Sequence, residues 1–127
     1  MQRQVLGGKI QRVTVTEAKV DYEGSITIDE TLMKAARLVS FEKVLVTNLT
    51  NGARMETYAI PGLAGSGKIC LNGGCAKHGK PGDLLIIMSF LVLDEKELVD
   101  HHPIVVSVDA KNQYLKTEKA SIPTLAN

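Results

Sequence analysis

Lys43-Val44-Leu45-Val46-Thr47-Asn48-Leu49-Thr50-Asn51-Gly52-Ala53-Arg54-Met55-Glu56-Thr57-Tyr58-Ala59-Ile60 is the stretch that decides the fold class. Residues 43–48 read as a strand, Asn51-Gly52 as a turn and residues 53–60 as the returning strand, a strong short-range hairpin signal. Toward the N-terminus, residues 9–19 alternate, with Val13 and Val15 on one face. Residues 25–29 form another short strand with Ile26 and Ile28 on one side. Asp29 then caps a brief helix over residues 30–38, where Leu32, Ala35 and Ala36 share a face. Toward the C-terminus, residues 61–67 read as a loop, 68–71 as a short strand and 72–76 as a tight, flexible turn. Pro81-Gly82-Asp83 introduces a buried apolar strand over residues 84–93. A helical turn at 94–99, a buried strand at 104–108, a turn at 109–112, a strand at 113–116 and a loose tail complete the reading. Many short strands with short helices predict a mainly β, compact barrel rather than a sheet built from strand–helix–strand units.

A length of 127 residues with 44% apolar side chains predicts a single domain, residues 1–127, with one core. Fifteen basic and 14 acidic side chains leave a formal charge of +1, spread without a basic block, so a nucleic-acid partner is not expected. Trp is absent and Tyr and Phe are few, which argues against a base-stacking platform. Met1-Gln2-Arg3-Gln4 opens on polar residues without a signal-like apolar run, and residues 84–93 are too few to span a bilayer as a helix. No membrane partner is expected, and Cys70 and Cys75 read as free thiols of a cytoplasmic protein. Four residues separate those cysteines and only His78 stands near them, so no metal is expected. Gly65-Ser66-Gly67-Lys68 lacks the glycine spacing, the following Ser/Thr and the long helix of a phosphate loop.

The chemistry centres on Gly24-Ser25, within Asp21-Tyr22-Glu23-Gly24-Ser25-Ile26-Thr27-Ile28-Asp29. Taken alone, the pair is a turn ahead of a strand. A serine hydroxyl after glycine can also attack the preceding carbonyl, because glycine admits strained backbone and leaves the carbonyl uncrowded. Elimination and hydrolysis then leave an N-terminal pyruvoyl group, a built-in electron sink without PLP. Arg54 offers a planar fork for a carboxylate, against the plain reading of a solvated edge charge. Tyr58 shares a strand face with Arg54, whereas Thr57 faces the other way unless the strand bends. Lys9, after Gly7-Gly8, suits an anionic substrate, or is simply surface charge. Asn72 with Gly73 and Gly74 can serve an oxyanion or a substrate carboxylate, or form an ordinary turn. His78, His101 and His102 show no base–nucleophile spacing and are assigned no catalysis.

Read together, the chain resembles the pyruvoyl-dependent aspartate 1-decarboxylase family, from about residue 4 to residue 117. The resemblance is carried by Lys9, Tyr22-Glu23-Gly24-Ser25, Ile28-Asp29, Asn51-Gly52, Arg54, Thr57-Tyr58, Asn72-Gly73 and Gly82-Asp83, in order and spacing. It implies a double-psi β-barrel, a homotetramer with active sites near subunit interfaces, and self-cleavage between Gly24 and Ser25. It further implies decarboxylation of L-aspartate to β-alanine, through an imine with the pyruvoyl group made from Ser25, in pantothenate biosynthesis. By the same resemblance Arg54 holds a substrate carboxylate with help from Lys9, and Asn72, Gly73 and Gly74 line the substrate site. Tyr58 donates the proton, Thr57 and Asn72 assist self-cleavage, and Tyr22 shapes the cleavage-site wall. Some members of the family depend on a maturation helper.

Two departures stand out. Gln11 occupies a position commonly histidine in the family, keeping a hydrogen-bonding side chain but losing a titratable ring. Gly74 and Cys75 stand where alanines usually follow the first glycine. The alternatives to an aspartate enzyme are a pyruvoyl-dependent decarboxylase of another small acidic amino acid and an uncleaved, non-catalytic barrel that binds a partner.

Overall fold

The computed structural model describes residues 1–120. Its elements are β1 (Gln2–Thr14), β2 (Glu17–Lys19), β3 (Ser25–Asp29), α1 (Glu30–Ala35), β4 (Lys43–Asn48), β5 (Arg54–Gly62) and β6 (Ile69–Asn72), then a 3-10 helix (Gly73–Lys77), β7 (Leu84–Asp94), α2 (Glu95–Leu98), β8 (Ile104–Val108) and β9 (Tyr114–Lys119). The protein is mainly β with short helices, as its alternating segments predict. Hydrogen bonding runs through the strands in the order β2-β6-β3-β5-β4-β7-β1-β8-β9. The sheet is mixed: β1–β8, β2–β6 and β3–β5 are parallel, while β1–β7, β3–β6, β4–β5, β4–β7 and β8–β9 are antiparallel.

One apolar cluster gathers the inner faces of these strands and one face of α1, with Ile10, Ile28, Leu32, Val46, Leu71 and Ile87 at its centre. Each such side chain contributes about 1.5–3 kcal/mol by leaving water. Asp29 caps α1 as expected, accepting from the Thr31 N–H at 2.8 Å. Its carboxylate also accepts from Gly65 at 3.0 Å and Gly67 at 2.9 Å, tying the end of β3 to the following loop.

Several boundaries differ from the sequence reading. The strand expected over residues 9–19 is two strands, β1 and β2, because Val15 and Thr16 turn their N–H groups to Asp83 and Ile69. Within β1, a bulge at Arg12 (φ 62°) lets both Ile10 and Val13 face inward. The hairpin loop spans residues 49–53 rather than a two-residue Asn51-Gly52 turn, because Asn48 Oδ1 accepts the Thr50 and Asn51 N–H groups and draws both into it. The helix expected to residue 38 stops at Ala35, and Arg37 adopts a left-handed φ of 60° just beyond it. The strand expected to be buried over residues 84–93 alternates instead, and its Phe90-Leu91-Val92 segment is exposed. The flexible turn expected at residues 72–76 is the last residue of β6 followed by the 3-10 helix. Residues 117–119, read as tail, belong to β9, and the loose tail from residue 121 lies outside the described residues.

Candidate active site

β5 changes partner midway along its length. Arg54 to Tyr58 pair with β4, and from Ala59 onward the strand pairs with β3, starting at Ile26. Carried back two residues, that parallel register sets Gly24 and Ser25 alongside Thr57 and Tyr58. An open pocket of about 400 Å³ lies there, lined by Gly24, Met55, Glu56, Thr57, Tyr58, Gly74, Cys75 and His78. Four consecutive β5 residues, Met55 to Tyr58, reach it, which a strand flanked on both sides does not permit. The change of partner supplies the departure from flat alternation that Thr57 needs. Tyr58 is further bounded by Phe41, with ring centroids 6.1 Å apart.

Ser25 is completely buried, whereas Gly24 before it is exposed. Across the antiparallel β3–β6 pair, Ser25 stands opposite Asn72. The Ser25 hydroxyl donates to the Glu23 carbonyl at 3.3 Å and accepts from Asn72 Nδ2 at 3.0 Å. The same amide nitrogen donates to Thr27 Oγ1 at 2.9 Å. Both amide hydrogens of Asn72 are thereby committed, and the Ser25 oxygen keeps a lone pair. Gly73 is buried at φ +62°, and a Cβ there would lie 2.6 Å from the Tyr22 carbonyl oxygen and 2.7 Å from the Gly24 nitrogen. Only glycine lets the 3-10 helix press against the Gly24 backbone. Gly74 is exposed on the pocket wall. The Tyr22 side chain, 60% exposed, borders a neighbouring groove with Val20, Asp21, Glu23 and Ile60.

The remaining basic and polar candidates lie elsewhere in this chain. Lys9 faces Met88, Met88 faces Leu45, and Leu45 faces Glu56, so three strand spacings, roughly 14 Å, separate Lys9 from β5. Gln11 occupies the next such row with Ile86, Thr47 and Arg54. Arg54 is exposed at the start of β5, about 13 Å along the strand from Tyr58. A single chain therefore brings Gly24, Ser25, Thr57, Tyr58, Asn72, Gly73 and Gly74 together but holds Lys9, Gln11 and Arg54 on the outer face of the sheet.

Residues 1–115 match the family model described as aspartate decarboxylase. The chain belongs to the aspartate decarboxylase family. It is 54% identical over 115 residues to an aspartate 1-decarboxylase from Syntrophobacter fumaroxidans, covering 91% of this chain and 93% of that one. It is 49% identical over 123 residues to an aspartate 1-decarboxylase from Myxococcus xanthus, covering 97% and 95%. A third, from Corynebacterium efficiens, is 54% identical over 113 residues, covering 89% and 83%.

In this family member the pocket also holds groups that sequence reasoning left aside. His78 lines it, carried there by the 3-10 helix, and its carbonyl is gripped by Asn48 Nδ2 at 3.0 Å and Asn51 Nδ2 at 3.1 Å. Asn48 also donates to buried Asp83 at 2.9 Å, which, with the Lys80 N–H, holds the Asp83 carboxyl below the usual carboxylate range. Beneath the pocket, Cys70 donates to Asn72 Oδ1 at 3.1 Å, and burial pushes its thiol pKa up. No periodicity marks Phe41, Cys70 or His78. Only the fold shows what they touch. Among the described residues no three His, Cys, Asp or Glu side chains converge as metal ligands, and no helix is long and apolar enough to cross a membrane.

Proposed function

We propose that this chain is a self-processing aspartate 1-decarboxylase, converting L-aspartate to β-alanine and carbon dioxide for pantothenate biosynthesis. Family membership supports the reaction. The observation that carries the self-processing is the buried Ser25 hydroxyl, held between the Glu23 carbonyl and Asn72 with the exposed Gly24 just before it.

That geometry supports self-cleavage at Gly24–Ser25. Ser25 Oγ attacks the Gly24 carbonyl carbon, its proton passes to the amide nitrogen, and the C–N bond gives way to an ester. Loss of the residue 25 α-proton then expels the Gly24 carboxylate, leaving a dehydroalanine terminus that water converts to pyruvoyl and ammonia. Asn72 orients the attacking oxygen, and Thr57, beside Gly24, is the side chain suited to the carbonyl. The site fits the group: a Cβ on Gly74 meets nothing within 4 Å, and one on Gly24 would likewise enter open space. Residue 25 would itself become the pyruvoyl group and Asn72 would hold it, its carbonyl supplying an electron sink for loss of carbon dioxide. Arg54, with Lys9, binds a substrate carboxylate, Gly73 and Gly74 line the substrate site, and Tyr58 holds the proton delivered to the substrate carbon.

Because Lys9, Gln11 and Arg54 stand away from their own pocket, a homotetramer with shared active sites is part of the proposal. So is closure of the mixed sheet into a double-psi barrel forming one domain over residues 1–127. Two free thiols, Cys70 and Cys75, support a cytoplasmic address. Cleavage without or with a maturation helper is compatible with this site.

Denatured intact mass with an aminooxy probe tests the reading. The expected result is a fragment ending at Gly24, a labelled fragment beginning at residue 25, and turnover of aspartate well above that of glutamate. A single unlabelled chain that turns over no aspartate, with or without a cell extract able to supply a maturation helper, overturns it.

A further inference from the structure

The antiparallel register sets four polar side chains in a square on one face of β3 and β6. Ser25 stands opposite Asn72, and Thr27 opposite Cys70. Asn72 touches the other three: it donates to Ser25 Oγ at 3.0 Å and to Thr27 Oγ1 at 2.9 Å, and accepts from Cys70 Sγ at 3.1 Å. Cys70 is 1% exposed. Its other acceptor, the Leu71 carbonyl, lies at 3.9 Å and competes poorly for the single thiol proton.

We infer that Cys70 is a positioning residue for self-cleavage: its thiol proton fixes the Asn72 amide so that both N–H groups face the Ser25 and Thr27 oxygens. The inference rests on the self-cleavage reading above. The terminal torsion of asparagine is broad and nearly two-fold, so its oxygen and nitrogen exchange places at little cost unless neighbours choose between them. Hydroxyls do not choose, because Ser25 and Thr27 can each donate or accept. The thiol does choose, being a better donor to a carbonyl oxygen than an acceptor from an amide. With the amide reversed, Oδ1 would take the Ser25 proton and turn the hydroxyl away from the Glu23 carbonyl. The attacking lone pair would then lose its direction. Burial keeps the thiol protonated and therefore a donor.

The test compares Cys70→Ala and Cys70→Ser with the unsubstituted chain, following the full-length fraction by denatured intact mass over time and melting each precursor. Cys70→Ala is expected to slow cleavage about tenfold, the rate equivalent of one orienting hydrogen bond. Cys70→Ser, which restores a donor, is expected to recover most of that rate even if its melting temperature is no higher than that of Cys70→Ala. Cleavage of Cys70→Ala at the unsubstituted rate overturns the inference alone. So does slowing of both variants in proportion to their lost stability. Failure of the unsubstituted chain to cleave at Gly24–Ser25 removes the self-cleavage reading, and this inference with it.

Discussion

In the proposed self-cleavage, Ser25 supplies the nucleophile and Asn72 the group that aims it. Ser25→Ala is therefore expected to leave one intact chain that no carbonyl probe labels, seen directly by mass. Asn72→Ala keeps the nucleophile but releases its oxygen, and a misplacement of about 1 Å costs on the order of 100-fold in rate. Its cleavage, followed by the same measurement, is expected to slow by that order. Asp83 acts on stability rather than chemistry, since Asn48 and the Lys80 N–H stabilise its charged form. Its folded pKa lies below the unfolded value of 3.8, so the unfolded chain binds more protons between the two. The contribution is present above the unfolded value and is lost as pH falls through the folded one. Asp83→Asn is expected to melt below the unsubstituted protein at pH 6, and the gap should narrow as both are acidified past pH 3.8. An unchanged gap would mean that the carboxylate charge is not what the Asn48 amide stabilises.

At the scale of elements, the 3-10 helix Gly73–Lys77 is the piece most tightly tied to the cleavage segment. Gly73→Ala meets both a left-handed φ and the Gly24 backbone, a strain of about 1–3 kcal/mol that moves either the helix or the scissile residue. It is expected to lower the melting temperature and slow cleavage together, and normal cleavage at reduced stability would exonerate the helix. This element was illegible in the sequence, because five residues with two glycines carry no helical period. The β4–β5 hairpin, the Ser25–Asp29 strand and the Asp29 cap were legible, because alternation and cap chemistry are local. The match between Ser25 and Asn72 came from resemblance, since a register joining residues 47 apart leaves no local trace. The bulge at Arg12 was itself illegible for a related reason: it resets the inward phase between Ile10 and Val13, which strict alternation cannot show.

At the scale of the whole molecule, one chain gathers the residues proposed for cleavage but holds Lys9, Gln11 and Arg54 apart from them. The outer face that carries Lys9 and Gln11 also carries Leu45, Ile86 and Met88, and it continues into exposed Phe90 and Val92. A groove of about 350 Å³ crosses it between Lys43, Leu45, Glu56 and Phe90. Apolar surface rimmed by charge in this way is the face proposed for association, where a second copy would lend Lys9 to a neighbouring pocket. Phe90→Asp, 38% exposed at present, puts a charge into that face without touching the core. Loss of a central aromatic contact costs about 2 kcal/mol or more, so association should weaken by roughly 30-fold or more. Light scattering is expected to show smaller species, aspartate turnover to fall with them, and cleavage at Gly24–Ser25 to continue, because the Ser25–Asn72–Cys70 square lies within one chain. A variant that stays as associated as the unsubstituted chain, with full turnover, would move the interface elsewhere. A dissociated variant with full turnover would show that Lys9 is not needed from a partner.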